Sequence, residues 1–90
     1  MWFVYIIKCV DDSLYTGFTN DLEKRFKAHK SGKGAKYTRS HKPEKIVFSE
    51  KFGKKELAMK REREIKNWKH SEKIKFIQSK HIKATPLGGI

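Results

Sequence analysis

Residues 2–9 read Trp-Phe-Val-Tyr-Ile-Ile-Lys-Cys, an almost unbroken run of aromatic, β-branched and other apolar side chains. These residue types favour a β-strand. A strand with one face in water alternates apolar with polar residues, and this run does not. It therefore predicts a central strand that is covered on both faces. Covering both faces is the main demand that this strand places on the rest of the 90-residue chain.

Turn and capping residues indicate where the next elements begin. Asp11-Asp12-Ser13 predicts a turn, after which residues 14–18 form a second strand and complete a hairpin. Thr19 or Asn20 is expected to cap a helix that runs to about Lys30.

Residues 31–45 predict a polar, basic loop that Pro43 keeps from being helical. Ser71 is expected to cap the last helix. The remaining predicted elements are a strand, two helices and a flexible tail, at 46–50, 54–68, about 71–81 and 81–90. The order β-β-α-β-α-α predicts an α+β fold, with a small three-stranded antiparallel sheet flanked by helices. A chain of this length forms one domain, which we place at 1–80.

The charge of the chain is strongly positive. Lysine and arginine total 22 against 10 acidic residues, which gives a formal net charge of +12. So large an excess repels itself unless a polyanion neutralises it, and nucleic acid is the commonest polyanion. The charge therefore indicates a nucleic-acid partner. Two alternatives are a solvated lysine-rich surface and a basic protein that binds ribosomes or an acidic protein.

Cys9 is the only cysteine, so no intrachain disulfide can form, which is typical of a reducing compartment. We interpret Cys9 as a small buried hydrophobe. No apolar run reaches the roughly 18 residues that a membrane-spanning helix needs. No basic leader precedes the first strand and no small-residue cleavage site follows it, which argues against a signal peptide. A cytoplasmic protein without membrane contact is expected.

The first predicted helix carries two basic side chains beside its apolar face. Four residues share that face because they are spaced i, i+3, i+4 and i+7, namely Leu22, Arg25, Phe26 and His29. From spacing alone, the stem of Arg25 covers the apolar edge while its head reaches water, or Arg25 belongs to a site. For His29 the spacing alone favours a structural hydrogen bond.

The second long helix carries an acid on its inward stripe. The stripe consists of Leu57, Ala58, Arg61, Glu62, Ile65 and Trp68, whereas Glu64 points outward. An inward carboxylate is unfavourable unless it is paired or bound to a metal. Glu62 is therefore either a salt-bridge partner of Arg25 or another cation, or a metal ligand, and the spacing leaves both open.

Five short segments occur in a fixed order, namely Phe3-Val4-Tyr5, Tyr15-Thr16-Gly17, 23–29, 31–39 and 58–66. In this order and at this spacing they resemble the motifs of the GIY-YIG nuclease superfamily. The resemblance is closest to its small stand-alone bacterial members, which are related to the N-terminal nuclease domain of the excision-repair protein UvrC. It covers about residues 1–80.

The resemblance implies hydrolysis of phosphodiester bonds with one divalent ion, Mg²⁺ or Mn²⁺. It implies that Glu62 is the sole protein ligand of that ion and that Arg25 holds the phosphate. It also implies that one tyrosine, Tyr5 or Tyr15, takes the proton from the attacking water. His29 would hydrogen-bond a tyrosine or serve as the base itself.

DNA is the expected partner and RNA is the alternative. A domain this small is expected to recognise nucleic-acid shape instead of base sequence, as a monomer or weak homodimer. Gly17 would leave room for an approaching backbone or phosphate. The predicted nucleic-acid contacts are Gly17, Lys33, Lys36, Tyr37, Arg39, His41 and Lys42.

A nucleic-acid-binding module with weak or no catalysis is the alternative function. The first motif has Phe3 in place of its glycine. Many of these nucleases also have an asparagine well beyond the glutamate, and here Asn67 follows Glu62 too closely. In such a module the basic loop makes the contacts, and Tyr37 stacks on an unpaired base.

Overall fold

The computed structural model describes the backbone of residues 1–84 and the side chains of residues 1–80. Three strands form one antiparallel sheet in the order β2-β1-β3, and four helices flank it, so the predicted α+β fold is confirmed. The elements are β1 (Trp2–Cys9), β2 (Leu14–Thr19), α1 (Leu22–Lys30), α2 (Lys36–Ser40), β3 (Pro43–Phe52), α3 (Lys55–Lys66) and α4 (His70–Ala84).

The central strand β1 supplies side chains to two cores, because successive residues of a strand point to opposite faces of the sheet. One face packs against α3 and α4, and the buried residues of this core are Val4, Ile6, Phe48, Ala58, Ile65 and Ile77. The other face packs against α1, and its buried residues are Tyr5, Ile7 and Cys9. The predicted double coverage of the first strand and the predicted burial of Cys9 are confirmed.

α1 begins one residue later than the sequence predicted. Asp21 is its N-cap, and the Asp21 side chain accepts a hydrogen bond from Lys24 N at 3.1 Å. Thr19 instead accepts from the backbone N–H of Asp21 at 3.1 Å. The prediction of Thr19 or Asn20 as the cap was wrong because the Asp21 carboxylate is the group that reaches a free N–H of the first turn.

The predicted loop 31–45 contains the short helix α2 and the start of β3, so that part of the prediction was wrong. In α2 the Thr38 hydroxyl accepts from Ala35 N at 3.2 Å and donates to Ala35 O at 3.0 Å, which closes the turn. β3 begins at Pro43 and ends at Phe52, and is longer than predicted at both ends. Proline is tolerated there because β3 is an edge strand, in which one row of N–H groups needs no partner.

The last helix also starts earlier than predicted, at His70 and not after a Ser71 cap. The Glu72 carboxylate accepts a hydrogen bond from the backbone N–H of Lys69 at 2.7 Å, which gives this N–H a partner at the start of α4. α4 continues to Ala84, so part of the predicted tail lies in this helix, and residues 85–90 lie outside the described residues. None of the helices within residues 1–84 is long and apolar enough to span a membrane.

α3 buries a narrower face than the sequence predicted. Ala58 and Ile65 are fully buried, but Leu57 is 49% exposed. Consecutive helical residues point roughly 100° apart, so the burial of Ala58 turns Leu57 away from the sheet. Arg61 is partly exposed and lies beside Glu50, with its Nε 3.0 Å from the carboxylate. The prediction that Leu57 belongs to the inward stripe was wrong.

Tyr5 of β1 lies directly opposite Gly17 of β2. A Cβ atom at position 17 would lie 2.5 Å from Tyr5 Oη and 2.7 Å from Tyr5 Cζ, closer than packed atoms approach. The Tyr5 ring therefore occupies the space above Gly17 and is itself a sufficient reason for the glycine. Contact between Gly17 and nucleic acid stays a prediction.

We expect Gly17→Ala to destabilise the fold by about 1–3 kcal/mol, the usual range for overpacking a filled core. The free energy of unfolding, measured by chemical denaturation, checks this. Gly53→Ala is the matched control, because nothing lies within 4 Å of a Cβ at that position. Equal stability of the two variants would contradict the packing of Tyr5 over Gly17.

Candidate active site

A buried hydrogen-bond network joins β1, α1 and α2. The Tyr5 hydroxyl lies 2.9 Å from His29 Nε2, and His29 Nδ1 lies 2.7 Å from Thr38 Oγ1. His29 is fully buried, and Tyr5 and Thr38 are each 2% exposed. Both ring nitrogens of His29 are therefore satisfied by side chains from other elements, as buried polar groups require. The hydrogen bond that the sequence favoured for His29 is present.

Burial and charge keep both ends of the Tyr5–His29 pair uncharged. Burial, aided by the positive charge of Arg25, lowers the pKa of His29 to about 4. Burial raises the pKa of Tyr5 to about 12, and the Arg25 guanidinium, which interacts with the phenol oxygen, opposes this rise. At neutral pH the imidazole is therefore neutral and the phenol keeps its proton.

Arg25 lies one helical turn before His29, at the edge of the buried network. Its side chain is half-buried and lines a cleft of about 240 Å³ with Thr19, Asn20, Asp21, Lys24 and Ala28. Among the described residues, no carboxylate lies within ion-pair distance of the Arg25 guanidinium. A guanidinium held in this way presents its donors to an external anion.

Tyr15 connects the buried network to the surface. Its ring centroid lies 5.1 Å from that of His29, 6.3 Å from that of Tyr5 and 5.8 Å from that of Tyr37. Tyr15 is half-buried, in contrast to the buried Tyr5. Of the two tyrosines, Tyr15 is therefore the one that a water molecule from outside can reach.

Glu62 of α3 is a carboxylate whose charge reaches this group. Its side chain is 15% exposed, so the predicted inward position is confirmed, and its charge acts on the pKa of Tyr5. Its ion-pair partner is Lys66, at 3.3 Å and one turn further along α3. The salt bridge to Arg25 that the sequence left open is not formed, although the alternative of another cation is.

The donor set at Glu62 suits a hard divalent ion that keeps its own waters. Within the described residues, no three side chains of histidine, cysteine, aspartate or glutamate converge to form a protein cage. Mg²⁺ and Mn²⁺ bind through one or two carboxylates with water completing the shell. Lys66 is about half exposed and can move aside from the Glu62 carboxylate. Glu62 therefore fits the residue that would hold such an ion.

The residues predicted to bind nucleic acid lie around α2. Lys33, Lys36 and Arg39 are exposed and line a depression of about 260 Å³, and Lys42 is exposed nearby. Tyr37 and His41 stack with their ring centroids 4.2 Å apart.

His41 Nδ1 lies 2.7 Å from Asp11, which ties the segment after α2 to the hairpin turn. Hydrogen bonds from Ser13, together with the contact to His41, hold the pKa of Asp11 well below its usual range. The structure brings Tyr37 next to the Tyr5–His29 network through Tyr15. The basic side chains lie on the surface around α2.

Comparison with known proteins agrees with this geometry. The family model of the GIY-YIG catalytic domain matches residues 1–75. The chain belongs to the GIY-YIG family. This is a family of nucleases, whose substrates are nucleic acids.

The GIY-YIG domain described here has close bacterial relatives. It is 54% identical over 83 residues to a UPF0213 protein of Clostridium perfringens, covering 92% of this chain and 89% of that protein. It is 47% identical over 78 residues to a UPF0213 protein of Staphylococcus haemolyticus, covering 87% and 95%. The solution NMR structure of a UPF0213 protein from Bacillus halodurans superposes with a TM-score of 0.59 at 40% identity, over the whole of both chains.

The sequence did not single out two residues that surround His29 in this GIY-YIG domain. Thr38 contacts His29 from α2, and a Cβ atom at Gly34 would overlap the His29 ring. Both lie in the segment 31–39 that is typical of the stand-alone members. That segment was the available signal, but spacing alone does not show that it folds back on His29.

The stability of this GIY-YIG domain is expected to fall in acid because of His29. The ordinary histidine pKa of the unfolded chain lies above the folded value of about 4, so only the unfolded state takes up this proton between about pH 6.5 and pH 4. The contribution is complete above that window and is lost as the pH falls through it, by about 3 kcal/mol.

Chemical denaturation of the parent and of His29→Gln at pH 7 and pH 4 tests this expectation. The variant should lose less stability between the two pH values than the parent does. His70→Gln is the matched control, because His70 is exposed at the start of α4, and it should keep the parental pH dependence. An unchanged pH dependence in His29→Gln would contradict the uncharged, buried state of His29.

Proposed function

We propose that the protein is a divalent-metal-dependent endonuclease that hydrolyses phosphodiester bonds in DNA. The observation that carries the proposal is that Arg25, Tyr5, His29 and Glu62 come from three elements, and that the charges of Arg25 and Glu62 both act on the Tyr5 hydroxyl, which contacts His29. A phosphate-binding cation, a proton acceptor and a carboxylate are the groups that phosphodiester hydrolysis requires.

Arg25 is the proposed phosphate ligand. Its guanidinium has no carboxylate partner among the described residues, and it stays charged at any working pH. It presents two parallel N–H groups, which match two phosphate oxygens. Lysine provides a single point charge and does not reproduce this geometry, so Arg25→Lys is expected to lose function as well.

Tyr15 is the proposed acceptor of the proton from the attacking water. Tyr5 is less suited, because it is 2% exposed, its hydroxyl is engaged by His29 and its pKa is raised to about 12. Tyr15 would take the proton on its phenol oxygen, which accepts a proton in the phenolate form. In this assignment the contact between Tyr5 and His29 holds β1 against α1. It thereby fixes the position of Arg25 on α1 and of Tyr15 on β2, the strand paired with β1.

Glu62 is the proposed ligand of one Mg²⁺ or Mn²⁺ ion. Such an ion supplies stabilisation of the negative charge on the phosphate and the leaving oxygen. The part played by the chain is to keep one partly buried carboxylate on the inward side of α3 with a displaceable partner, Lys66. A single site per chain fits cleavage of one strand at a time by a monomer or a weak homodimer.

We propose recognition of nucleic-acid shape, with RNA as the alternative substrate to DNA. The predicted contact residues around α2 are lysines, an arginine and a stacked aromatic pair, which suit phosphates and base faces. A substrate with branched or unpaired strands therefore suits this surface.

Cleavage assays with and without metal test the proposed function. Branched, flapped and single-stranded DNA would be incubated with Mg²⁺, Mn²⁺ or EDTA. We expect cleavage that EDTA removes, and a loss of at least about 100-fold in Arg25→Ala and Glu62→Gln, the usual scale for removing charge stabilisation in a transition state.

Two matched controls lie on the same helices. Lys27→Ala removes an exposed cation from α1, and Glu64→Gln removes an outward carboxylate from α3. Both are expected to cut like the parent. Cleavage by Glu62→Gln at the rate of Glu64→Gln would show that the site assignment is wrong.

A nucleic-acid-binding module without catalysis is the second candidate, and the Tyr37–His41 stack supports it. The Tyr37 ring is 36% exposed and lies beside the depression lined by the basic residues of the segment. For a binding module, affinity for DNA would be independent of Mg²⁺, and Arg25→Ala would weaken it only modestly. Binding without EDTA-sensitive cleavage on every substrate of the panel would select this function.

A further inference from the structure

Thr38 makes three hydrogen-bond contacts through one buried oxygen atom. Its Oγ1 donates to Ala35 O at 3.0 Å, accepts from Ala35 N at 3.2 Å and lies 2.7 Å from His29 Nδ1. A hydroxyl has one proton and two lone pairs. With the proton directed to Ala35 O and one lone pair receiving Ala35 N–H, the remaining lone pair faces His29 Nδ1. In this arrangement Nδ1 is the nitrogen that carries the imidazole proton.

The other end of the network leads to the same result. The positive charge of Arg25 acts on the Tyr5 hydroxyl and favours an orientation in which the oxygen, and not the proton, faces the guanidinium. The phenol proton then points elsewhere, and His29 Nε2 lies 2.9 Å away. Nε2 accepts this proton only if it carries none, which again places the imidazole proton on Nδ1. The hydrogen bonds then run in one direction, from Tyr5 through His29 to Thr38.

We propose that Thr38 is a positioning residue that fixes His29 in the form protonated at Nδ1, so that Tyr5 donates to His29 and turns its oxygen toward the positive charge of Arg25. The proposal rests on the proposed function in so far as Arg25 is the phosphate ligand. Thr38 itself touches no substrate, because it is 2% exposed and enclosed by α1 and α2.

The direction also matters for Arg25, whose positive charge acts on the Tyr5 hydroxyl. With the imidazole proton on Nε2, the ring would donate to the Tyr5 oxygen, and the phenol proton would have to point away from His29. Gly34 supports the same arrangement, because the absence of a Cβ lets the chain pass against the Nδ1 edge of the ring. The segment 31–39 thus packs against the imidazole through Gly34 and fixes the nitrogen that carries its proton through Thr38.

The protonation form of His29 can be read directly by NMR of the ¹⁵N-labelled imidazole, in the full chain at neutral pH and without substrate. We expect Nδ1 to carry the proton in the parent, in Thr38→Ser and in Tyr5→Phe, which keep the Thr38 hydroxyl or its serine equivalent. We expect Thr38→Val, which has nearly the same shape and no acceptor, to move the proton wholly or partly to Nε2. A proton on Nε2 in the parent, or on Nδ1 alone in Thr38→Val, would overturn the proposal.

Activity provides the second measurement. Thr38→Val is expected to lower kcat by about 10–100-fold, the usual scale for partners behind a functional histidine, with KM little changed and Thr38→Ser largely restoring kcat. Ser31→Ala removes a hydroxyl that donates to Ala28 O near the end of α1 without touching His29, and should leave kcat unchanged. Equal kcat values for Thr38→Val and Thr38→Ser, with the imidazole proton moved in the valine variant, would overturn the positioning role.

The two measurements separate the failure of this proposal from the failure of the nuclease function. A parent protein that cleaves no substrate with Mg²⁺ or Mn²⁺ would remove the nuclease function, and with it the role of Thr38 in positioning Arg25 for catalysis. The NMR result would still decide whether Thr38 fixes the imidazole proton. If Thr38→Val does not fold, the spectrum of Thr38→Ala, which also lacks the hydroxyl, decides that question.

Discussion

The hydrogen bond between the Tyr5 hydroxyl and His29 Nε2 joins the central strand to the first helix inside a core that excludes water. A buried polar group without a partner costs about 1–3 kcal/mol, so this bond imposes conditions on its surroundings. Position 17 must be glycine for the ring of Tyr5 to reach the imidazole. The second imidazole nitrogen must also be satisfied, and Thr38 does this from α2. One polar contact thereby accounts for residues on four elements.

The positively charged side chains fall into two groups that act on a polyanion in different ways. Most lysines are exposed, and in physiological salt their fields fall off within about 8 Å, so together they attract a polyanion without fixing its position. Arg25 is held between the cleft and the buried network, with a neutral histidine one turn away. In the proposed nuclease the lysines bring nucleic acid to the surface, and Arg25 with Glu62 selects the phosphate.

The parts of the fold that depend on local patterns were predicted from the sequence. The unbroken apolar run 2–9 indicated a central strand, and the spacing of α1 placed Arg25 and His29 together. The inward position of Glu62 also followed from helical spacing. The helix α2 was missed because its turn is closed by a threonine hydroxyl that also contacts a buried histidine, and such stabilisation is tertiary. Leu57 was misplaced because only the docked orientation of α3 decides which neighbour is buried.

The sequence by itself determined that residues 2–9 form a central strand covered on both faces. It also determined the charge of the chain and the set of residues from which a site can be built. Tertiary structure alone decided that Tyr5, His29 and Thr38 form one network, that Glu62 pairs with Lys66 and not with Arg25, and that Tyr15 is the more accessible tyrosine. The physical reason is range. Periodicity reports which side of an element a residue occupies. The hydrogen bonds of His29 depend instead on distances in space to Thr38 and Tyr5, which are 9 and 24 residues away in the chain.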